Sequence, residues 1–502
     1  MDVKRPQVHS INSIIFISLL IFVSANYVFA GWTPDVRLTH RRFEMEPQVV
    51  ARNDTVHVVW QQIAGPQHIS YLRSTNGGYI WDPWVNLEED GHYGAFPDLS
   101  LFPGGVFVGW FDEDTSDFTT YVAYSRSPDG GAWDPPEYVS QAIIRMYDVG
   151  TAAFGDSIYA VYFSRQFDST GTHPLRFLYS SDTGATWSEE VTVGHVSEYT
   201  NFLHVAHCRN SLYVVWASDL APLGYYREVM AAISHDGGQT WSDVMQLSSP
   251  DTAAAQHTCV ACDEVTGHFA VGWMDYGLSR SFPGDLFVRL TTDGGYTWRP
   301  VSHATTHHGV SMSSLAVAGD TLWAVWSDRD PAYGLHEEIC FTHSTDLGDN
   351  WSPYERLTFE PEHSWAPTIA YDNGRLHVVW YNDNPPPDSG MDIYYKRYDP
   401  EPDAVRGEVG DMLPEALSLS AYPNPFNSSV MISYSNLNKG GAIAIHDIQG
   451  KLIRSFALEG GADGKINWDA TDAMGNKVSS GVYFARAEAS QNSNTFKLVY
   501  LK

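Results

Sequence analysis

One short pattern, Ser/Thr-x-Asp-x-Gly-x-x-Trp, limits what this chain can fold into, because it returns along most of its length. It reads Ser234-His235-Asp236-Gly237-Gly238-Gln239-Thr240-Trp241, and it returns around Asn76, Asp182, Asp293 and Asp346, which lead to Trp81, Trp187, Trp298 and Trp351. A further copy, from Ser127 through Asp129 to Trp133, is one residue short. The residue types suit a tight hairpin. The Asp or Asn side chain is expected to accept hydrogen bonds from turn amides two residues on, the Gly takes φ > 0 without a Cβ penalty, and the Trp is a large buried anchor.

A second signal precedes each turn by about twenty residues, in line with a repeating supersecondary unit. It is an apolar strand ending in an aromatic, and the terminal rings are Trp60, Trp110, Tyr162, Trp216, Trp273, Trp326 and Trp380. Their spacing of 50 to 57 residues means stacked supersecondary units. Four strands are legible within a unit, for instance 203–206, 212–216, 229–234 and 244–247. Four short strands per unit make a propeller blade.

The fold expected is therefore all-β, a seven-bladed β-propeller over residues 31–400. The seventh unit has neither the turn nor a fourth strand. Arg37-Leu38-Thr39 near the N-terminus repeats Arg356-Leu357-Thr358 at the end of the sixth unit, so an N-terminal strand, 36–40, is expected to complete the last blade and leave no open edge.

The turn pattern resembles the Asp box, the bacterial-neuraminidase (BNR) repeat of sialidases and other β-propellers. The resemblance implies a structural turn on the outer part of each blade, away from the active site, so Asn76, Asp129, Asp182, Asp236, Asp293 and Asp346 are expected to be structural. It carries the fold, and sialidase chemistry does not follow from fold alone.

The first thirty residues read as a signal peptide, with Lys4 and Arg5, an apolar run from Ile14 to Val23, and Val28-Phe29-Ala30 before Gly31. That run is too short to span a bilayer, and no later stretch reaches spanning length. Export and a secreted or outer-surface location, reached through the periplasm, are expected. Sixty acidic residues against thirty basic ones leave a formal charge of −30, which excludes nucleic acid and anionic membranes as partners. The four cysteines, Cys208, Cys259, Cys262 and Cys340, allow three pairings among which sequence does not choose.

After residue 400 the repeat stops. A linker over 401–416 leads to a different module at 417–502, with Tyr422-Pro423-Asn424-Pro425-Phe426-Asn427, Trp468-Asp469, Asp472-Ala473-Met474-Gly475 and Ser480-Gly481-Val482-Tyr483-Phe484. Alternating strands with turns at Gly450, Gly461 and Gly475 make a small β-sandwich. The module closely resembles the type A C-terminal sorting domain of the type IX secretion system, itself similar to the FlgD-like immunoglobulin-like domain of flagellar hook capping. The resemblance implies that the type IX machinery is a partner and that the propeller is its passenger.

Ligands of propellers bind where the loops leading into the innermost strands, and those joining second to third strands, converge on the channel. The first set carries Arg41, Arg145, Tyr147, Asp148, Tyr199, His257, His363 and Trp365, and the second is rich in acids, among them Asp112, Asp275, Asp328 and Asp383. A sialidase needs three arginines on the sugar carboxylate, a Tyr–Glu nucleophile pair and an acid/base Asp. The family's Phe/Tyr-Arg-Ile-Pro signature is missing. The corresponding stretch is Phe43-Glu44-Met45-Glu46-Pro47, and the sialidases of this kind have six blades.

Cys259-x-x-Cys262, with His257, His204, His207 and Cys208, has the residue types of a zinc site. Strand alternation, however, points His207 and Cys208 to opposite faces, so a disulfide from Cys208 to Cys259 or Cys262, or buried thiols, is expected instead. Asp112-Glu113-Asp114-x-x-Asp117 matches no complete calcium-loop signature and reads as a solvated acidic loop. No metal and no cofactor are expected.

The sequence thus describes an exported sialidase-like propeller acting as a glycan- or protein-binding module, with no assignable catalysis. An exo-sialidase or another glycoside hydrolase is the alternative, and a structural or adhesion protein the second alternative. Removing residues 417–502 is expected to leave the propeller inside the cell envelope of a host with the type IX system. Fractionation and surface labelling check this, and undiminished surface display would refute the sorting role.

Overall fold

The computed structural model describes residues 31–501 apart from 41–42, 64–66, 89–90, 103, 140–145, 165–171, 198–199, 220–226, 250–252, 277–283, 306–308, 330–335, 360–361, 385–389, 401–417, 423–425, 436–441, 449, 458–463 and 489–492. The expected signal peptide and the expected linker 401–416 lie outside the described residues. Contacts divide the chain into two units, Met1–Ala404 and Val405–Lys502.

Among the described residues, the first unit is seven separate antiparallel sheets. The fourth shows how they are made: Asn201–Cys208, Ser211–Ser218, Glu228–Ser234 and Met245–Gln246 pair in chain order. The seven inner strands are Glu44–Arg52, His92–Phe102, Met146–Phe154, Asn201–Cys208, Ala255–Asp263, Val310–Ala318 and Ser364–Asp372. Each lies beside the next, and the last lies beside the first, so the sheets close into a ring. This is a β-propeller, in which the sheets stay separate and pack side by side around the ring.

Apolar second strands give the ring its core. Trp60, Trp110, Trp216, Trp273, Trp326 and Trp380 are at most 1% exposed, and burial of each ring contributes on the order of several kcal/mol. Four of these indole N–H groups have a carboxylate acceptor, while that of Trp216 has no partner among the described residues. Trp110 donates to Asp112 at 3.3 Å, Trp273 to Asp275 at 3.4 Å, Trp326 to Asp328 at 2.7 Å, and Trp60 to Glu44 at 3.3 Å.

Closure of the ring is a side-chain device used twice. Thr358 Oγ1 accepts from the Ile339 amide at 2.9 Å, Arg356 Nε donates to the Thr358 carbonyl at 2.6 Å, and the same guanidinium pairs with buried Glu338. At the N-terminus Thr39 Oγ1 accepts from the Ile393 amide at 2.9 Å, Arg37 Nε donates to the Thr39 carbonyl at 3.1 Å, and Arg37 pairs with buried Asp392. Val36 stands opposite Tyr395 and Arg37 opposite Tyr394, while Gly31 and Trp32 extend the edge opposite Asp399 and Tyr398. The N-terminal segment is thus the outer strand of the last sheet. Ser248 and Thr305 play the threonine's part in the fourth and fifth sheets, accepting from Val229 at 2.9 Å and Leu286 at 3.1 Å.

The repeated turns tie neighbouring sheets together. In the copy at Asp236, Ser234 Oγ donates to Asp236 at 2.8 Å and accepts from the Gly238 amide, and Asp236 accepts from the Thr240 amide at 2.9 Å. The acid therefore reaches the amide four residues on, not two. The two-residue reach belongs to the short copy alone, where Asp129 accepts from Gly131 at 2.7 Å.

The anchor also differs from the expectation. Each turn Trp is half-buried, and five of the six stand edge-on to a ring of the preceding sheet, as Trp133 does to Tyr71 at 4.6 Å and Trp241 to Phe177 at 4.8 Å, while Trp351 donates to Ser302 Oγ of that sheet at 2.8 Å. Glycine is required here twice over, by φ and by space. Gly238 has φ 93°, and a Cβ there would stand 2.3 Å from the Phe177 ring.

Of the disulfides open to the sequence, Cys208–Cys262 forms, joining the fourth and fifth inner strands, while Cys259 and Cys340 are free and buried. It takes two of the sulfurs that a zinc site would use.

The second unit is a β-sandwich. A three-stranded sheet contains Ser418–Tyr422, Val430–Ser435 and Gly464–Trp468, and a four-stranded sheet runs Leu452–Ala457, Ala442–Asp447, Gly481–Glu488, Ser493–Tyr500. The motif residues Phe426, Trp468 and Tyr483 are its core, and Gly450 and Gly475 take φ of 79° and 84° in its turns. Gly461 lies outside the described residues. Among the described residues, no helix is long and apolar enough to cross a membrane.

Replacing Thr39 by Ala removes a hydroxyl that holds a buried amide, a loss of about 1–3 kcal/mol. Thr39→Ala and Thr358→Ala are expected to lower the melting temperature by similar amounts, and deletion of residues 31–40 by much more. Thermal denaturation checks this, and an unchanged melting temperature after the deletion would overturn the closure.

Candidate functional site

A cavity of about 690 Å³ runs along the ring axis, lined by all seven inner strands. Its mouth is shaped by one defect repeated seven times. In the first inner strand Met45 stands opposite Gln61 but Gln48 opposite Val59, so one residue is extra. The same one-residue β-bulge lies between Ala95 and Asp98, Met146 and Asp148, Asn201 and His204, Gln256 and Cys259, Val310 and Ser313, and Trp365 and Thr368. Bulges of this kind bend a strand and re-aim its side chains.

Five bulges hold a non-glycine residue at positive φ: Glu46 and Phe96 at 53°, Phe202 and His257 at 54°, and Ala366 at 45°. Each such residue costs on the order of 1 kcal/mol, a strain that the ring repeats at the same place in sheet after sheet.

Acids and rings face the cavity. Glu46, Phe96, Asp98, Asp148, Phe202 and His204 are among its lining. Asp98 accepts from the Thr151 amide of the next inner strand at 2.7 Å. Asp148 accepts from its neighbour Val149 at 2.9 Å and from Leu203 of the following strand at 3.1 Å. Burial pushes both carboxyls up to about 7, and Asp148 adds to the rise at Asp98 by like charge. Burial pushes Glu46 up to about 7 as well, and its charge in turn raises Asp148.

His204 Nε2 lies 2.8 Å from the Thr258 carbonyl, so it carries the proton and donates, and burial lowers the ring's pKa. Thr258 Oγ1 returns a bond to the Phe202 carbonyl at 2.6 Å.

The residues expected at the site divide. Asp148 lies in the cavity wall. His257 sits on the fifth bulge with its ring centroid 4.3 Å from that of Phe202, and burial with the Arg227 charge lowers it to about 4. Trp365 starts the seventh bulge, half-buried, 5.6 Å from the His363 ring. His363 Nδ1 pairs with Glu337, whose carboxylate is buried, and Arg329 stands 3.8 Å from that carboxylate. Arg41, Arg145 and Tyr199 lie outside the described residues, as does the side chain of Tyr147.

Three acids assigned by sequence to the binding face do other work. Asp112, Asp275 and Asp328 are buried and hold the indoles of their own strands, and Asp112 also pairs with His92 at 2.7 Å. The acidic loop after Asp112 is solvated, with residues 115–118 exposed, and Asp114 and Asp117 accept locally from the Ser116 and Thr119 amides at 2.8 and 2.9 Å. Conversely, Glu46, Asp98 and the wall role of His204 were missed. One signal marks them: Pro47, Pro97 and Pro367 fall at the same point of three inner strands, each inside a bulge.

Comparisons with known proteins agree with the architecture. Residues 420–501 match the secretion system C-terminal sorting domain, and residues 232–243 match the BNR/Asp-box repeat. No curated protein matches the chain in sequence. Among solved structures, the polysaccharide lyase Uly1 superposes with a TM-score of 0.50 at 8% identity, over 74% of this chain and 99% of its own. The Trypanosoma rangeli sialidase in complex with DANA gives 0.44 at 9% identity, covering 91% and 84% of the two chains. The intramolecular trans-sialidase from Ruminococcus gnavus gives 0.40 at 13%, covering 72% and 96%. At such identities the likeness concerns the fold alone. The sorting domain directs the chain through the type IX system to the cell surface or beyond, and the passenger is a sialidase-like propeller.

Asp98 and Asp148 have folded pKa values near 7, above the usual value near 3.9. Their contribution to stability is therefore complete below pH ~4 and lost as pH rises through about 7. Asn keeps an acceptor for the Thr151 and Leu203 amides. The melting temperature of an Asp98→Asn, Asp148→Asn variant is expected to fall less between pH 5 and pH 8 than that of the parent. Equal slopes in a thermal-shift series would show that the two carboxyls do not titrate in the fold.

Proposed function

We propose that the propeller is a recognition module that holds a glycan at the mouth of its channel and does not hydrolyse sialosides. The observation that carries this reading is the cavity's lining. Among the described residues it presents carboxyls and aromatic rings, Glu46, Asp98, Asp148, Phe96 and Phe202, and neither Lys nor Arg. A sugar carboxylate needs guanidinium partners and is repelled by a wall of acids. Hydroxyl-rich sugars, in contrast, use carboxyl acceptors for their O–H groups and aromatic faces for their C–H faces.

One observation favours a second reading, a glycoside hydrolase acting on an uncharged linkage. Glu46 and Asp148 share the cavity and are both raised to about 7, and paired carboxyls of that kind supply acid and base in glycoside hydrolysis.

One experiment separates the readings. The mature chain, residues 31–502, is incubated with a fluorogenic sialoside and a panel of neutral glycosides, and its binding is read in parallel on a glycan array. Array binding without turnover is expected. Turnover of a neutral glycoside, lost in Glu46→Gln or Asp148→Asn, would establish the hydrolase. Sialoside turnover abolished by Arg145→Ala would establish a sialidase in place of both.

A further inference from the structure

Within the cavity wall the three carboxyls at the level of the bulges are not equivalent, and a fourth, Glu264, is held by His207 and the Arg209 amide. Asp98 and Asp148 are engaged, each accepting from the amide of a neighbouring inner strand at 2.7 and 3.1 Å. Glu46 stands at the corresponding level of the first inner strand, at positive φ on its bulge. No hydrogen bond or ion pair reaches its carboxyl from the described residues. The titratable groups that feel its charge are Asp148, Tyr93 and Tyr381, an acid and two phenols. Phe96 and Phe202 line the same cavity, and Phe96 is 46% exposed.

A carboxyl with no partner among the described residues, in a concave site that also presents Phe96 and Phe202 and whose described wall carries no cation, is the chemistry that holds an ammonium group. The carboxylate supplies charge-assisted hydrogen bonds and the rings supply cation–π attraction. We infer that the glycan recognised at this mouth carries a protonated amine, an amino-sugar unit whose nitrogen is not acetylated, with Glu46 as its counter-ion. This rests on the glycan-binding reading above and narrows it. It also accounts for a use of acidic residues at the site beyond tying one strand to the next. Asp98 and Asp148 do that tying, and Glu46 does not.

The test uses the mature full-length chain and short probes, so that the chain's overall negative charge does not dominate. Calorimetric titration compares a glucosamine tetramer with the matched N-acetylglucosamine tetramer and with sialyllactose, in the parent and in Glu46→Gln, at two salt concentrations. The parent is expected to bind the amine form at least tenfold more tightly than the acetylated form and not to bind sialyllactose. Glu46→Gln is expected to remove most of that preference, lowering affinity for the amine form far more than for the acetylated form, with the chain still folded by circular dichroism.

Equal affinity of the parent for the two tetramers would overturn the amine assignment and leave glycan binding standing. A preference that survives in Glu46→Gln and collapses only with salt would overturn the role of Glu46, since it would report diffuse attraction to an acidic surface. Absence of binding to every sugar, there and on the array, would overturn both readings together.

Discussion

Seven separate sheets arranged around an axis have no continuous backbone ladder to hold them in a ring, so everything else depends on side chains that cross from one sheet to the next. Two sets do so. On one side, the serine or threonine of each repeated turn organises a hairpin whose Gly and Trp lie against the preceding sheet, on an aromatic ring in five copies and on Ser302 in the sixth. On the inside, Asp98, Asp148 and Thr258 reach the backbone of a neighbouring inner strand. The disulfide Cys208–Cys262 adds a covalent tie at one seam. The closing sheet is held by the same Arg-Leu-Thr arrangement that ends the sheet before it, which is why a strand from the far end of the chain fits without adjustment.

The site follows from that architecture. Inner strands that curve around an axis accommodate an extra residue at one level, and the bulge turns the side chain there toward the mouth. What occupies those seven positions then sets the chemistry. Burial in a confined wall raises the pKa of these carboxyls, and like charge adds to the rise at Asp98 and Asp148. On the reading proposed above, the same acids that tie the strands make the mouth unfavourable for anions, and the carboxyl of Glu46, without a partner among the described residues, gives it a preference for positive charge.

Much of the fold was legible because its signals are local and repeated. The turn pattern, the apolar strand ending in an aromatic, and the Arg-Leu-Thr echo each report a short-range arrangement, and repetition fixes their spacing. The fourth unit's strands, read at 203–206, 212–216, 229–234 and 244–247, fall within or beside the strands observed at Asn201–Cys208, Ser211–Ser218, Glu228–Ser234 and Met245–Gln246. The site was less legible. Asp112, Asp275 and Asp328 look like ligands because they are acids at strand ends, and only the burial of the indole two residues earlier explains them. Glu46 and Asp98 look like ordinary strand residues, because a bulge leaves almost no mark in a single strand.

The sequence by itself determined the repeat, the all-β class, the closing strand and the sorting domain, since each is encoded in residues near one another or in a motif copied along the chain. The tertiary structure alone decided which acids face the channel and which face a tryptophan, which cysteines meet, and that the carboxyls at the mouth share one wall. Those properties depend on distances between residues some fifty positions apart, which strand periodicity does not specify until the ring is closed.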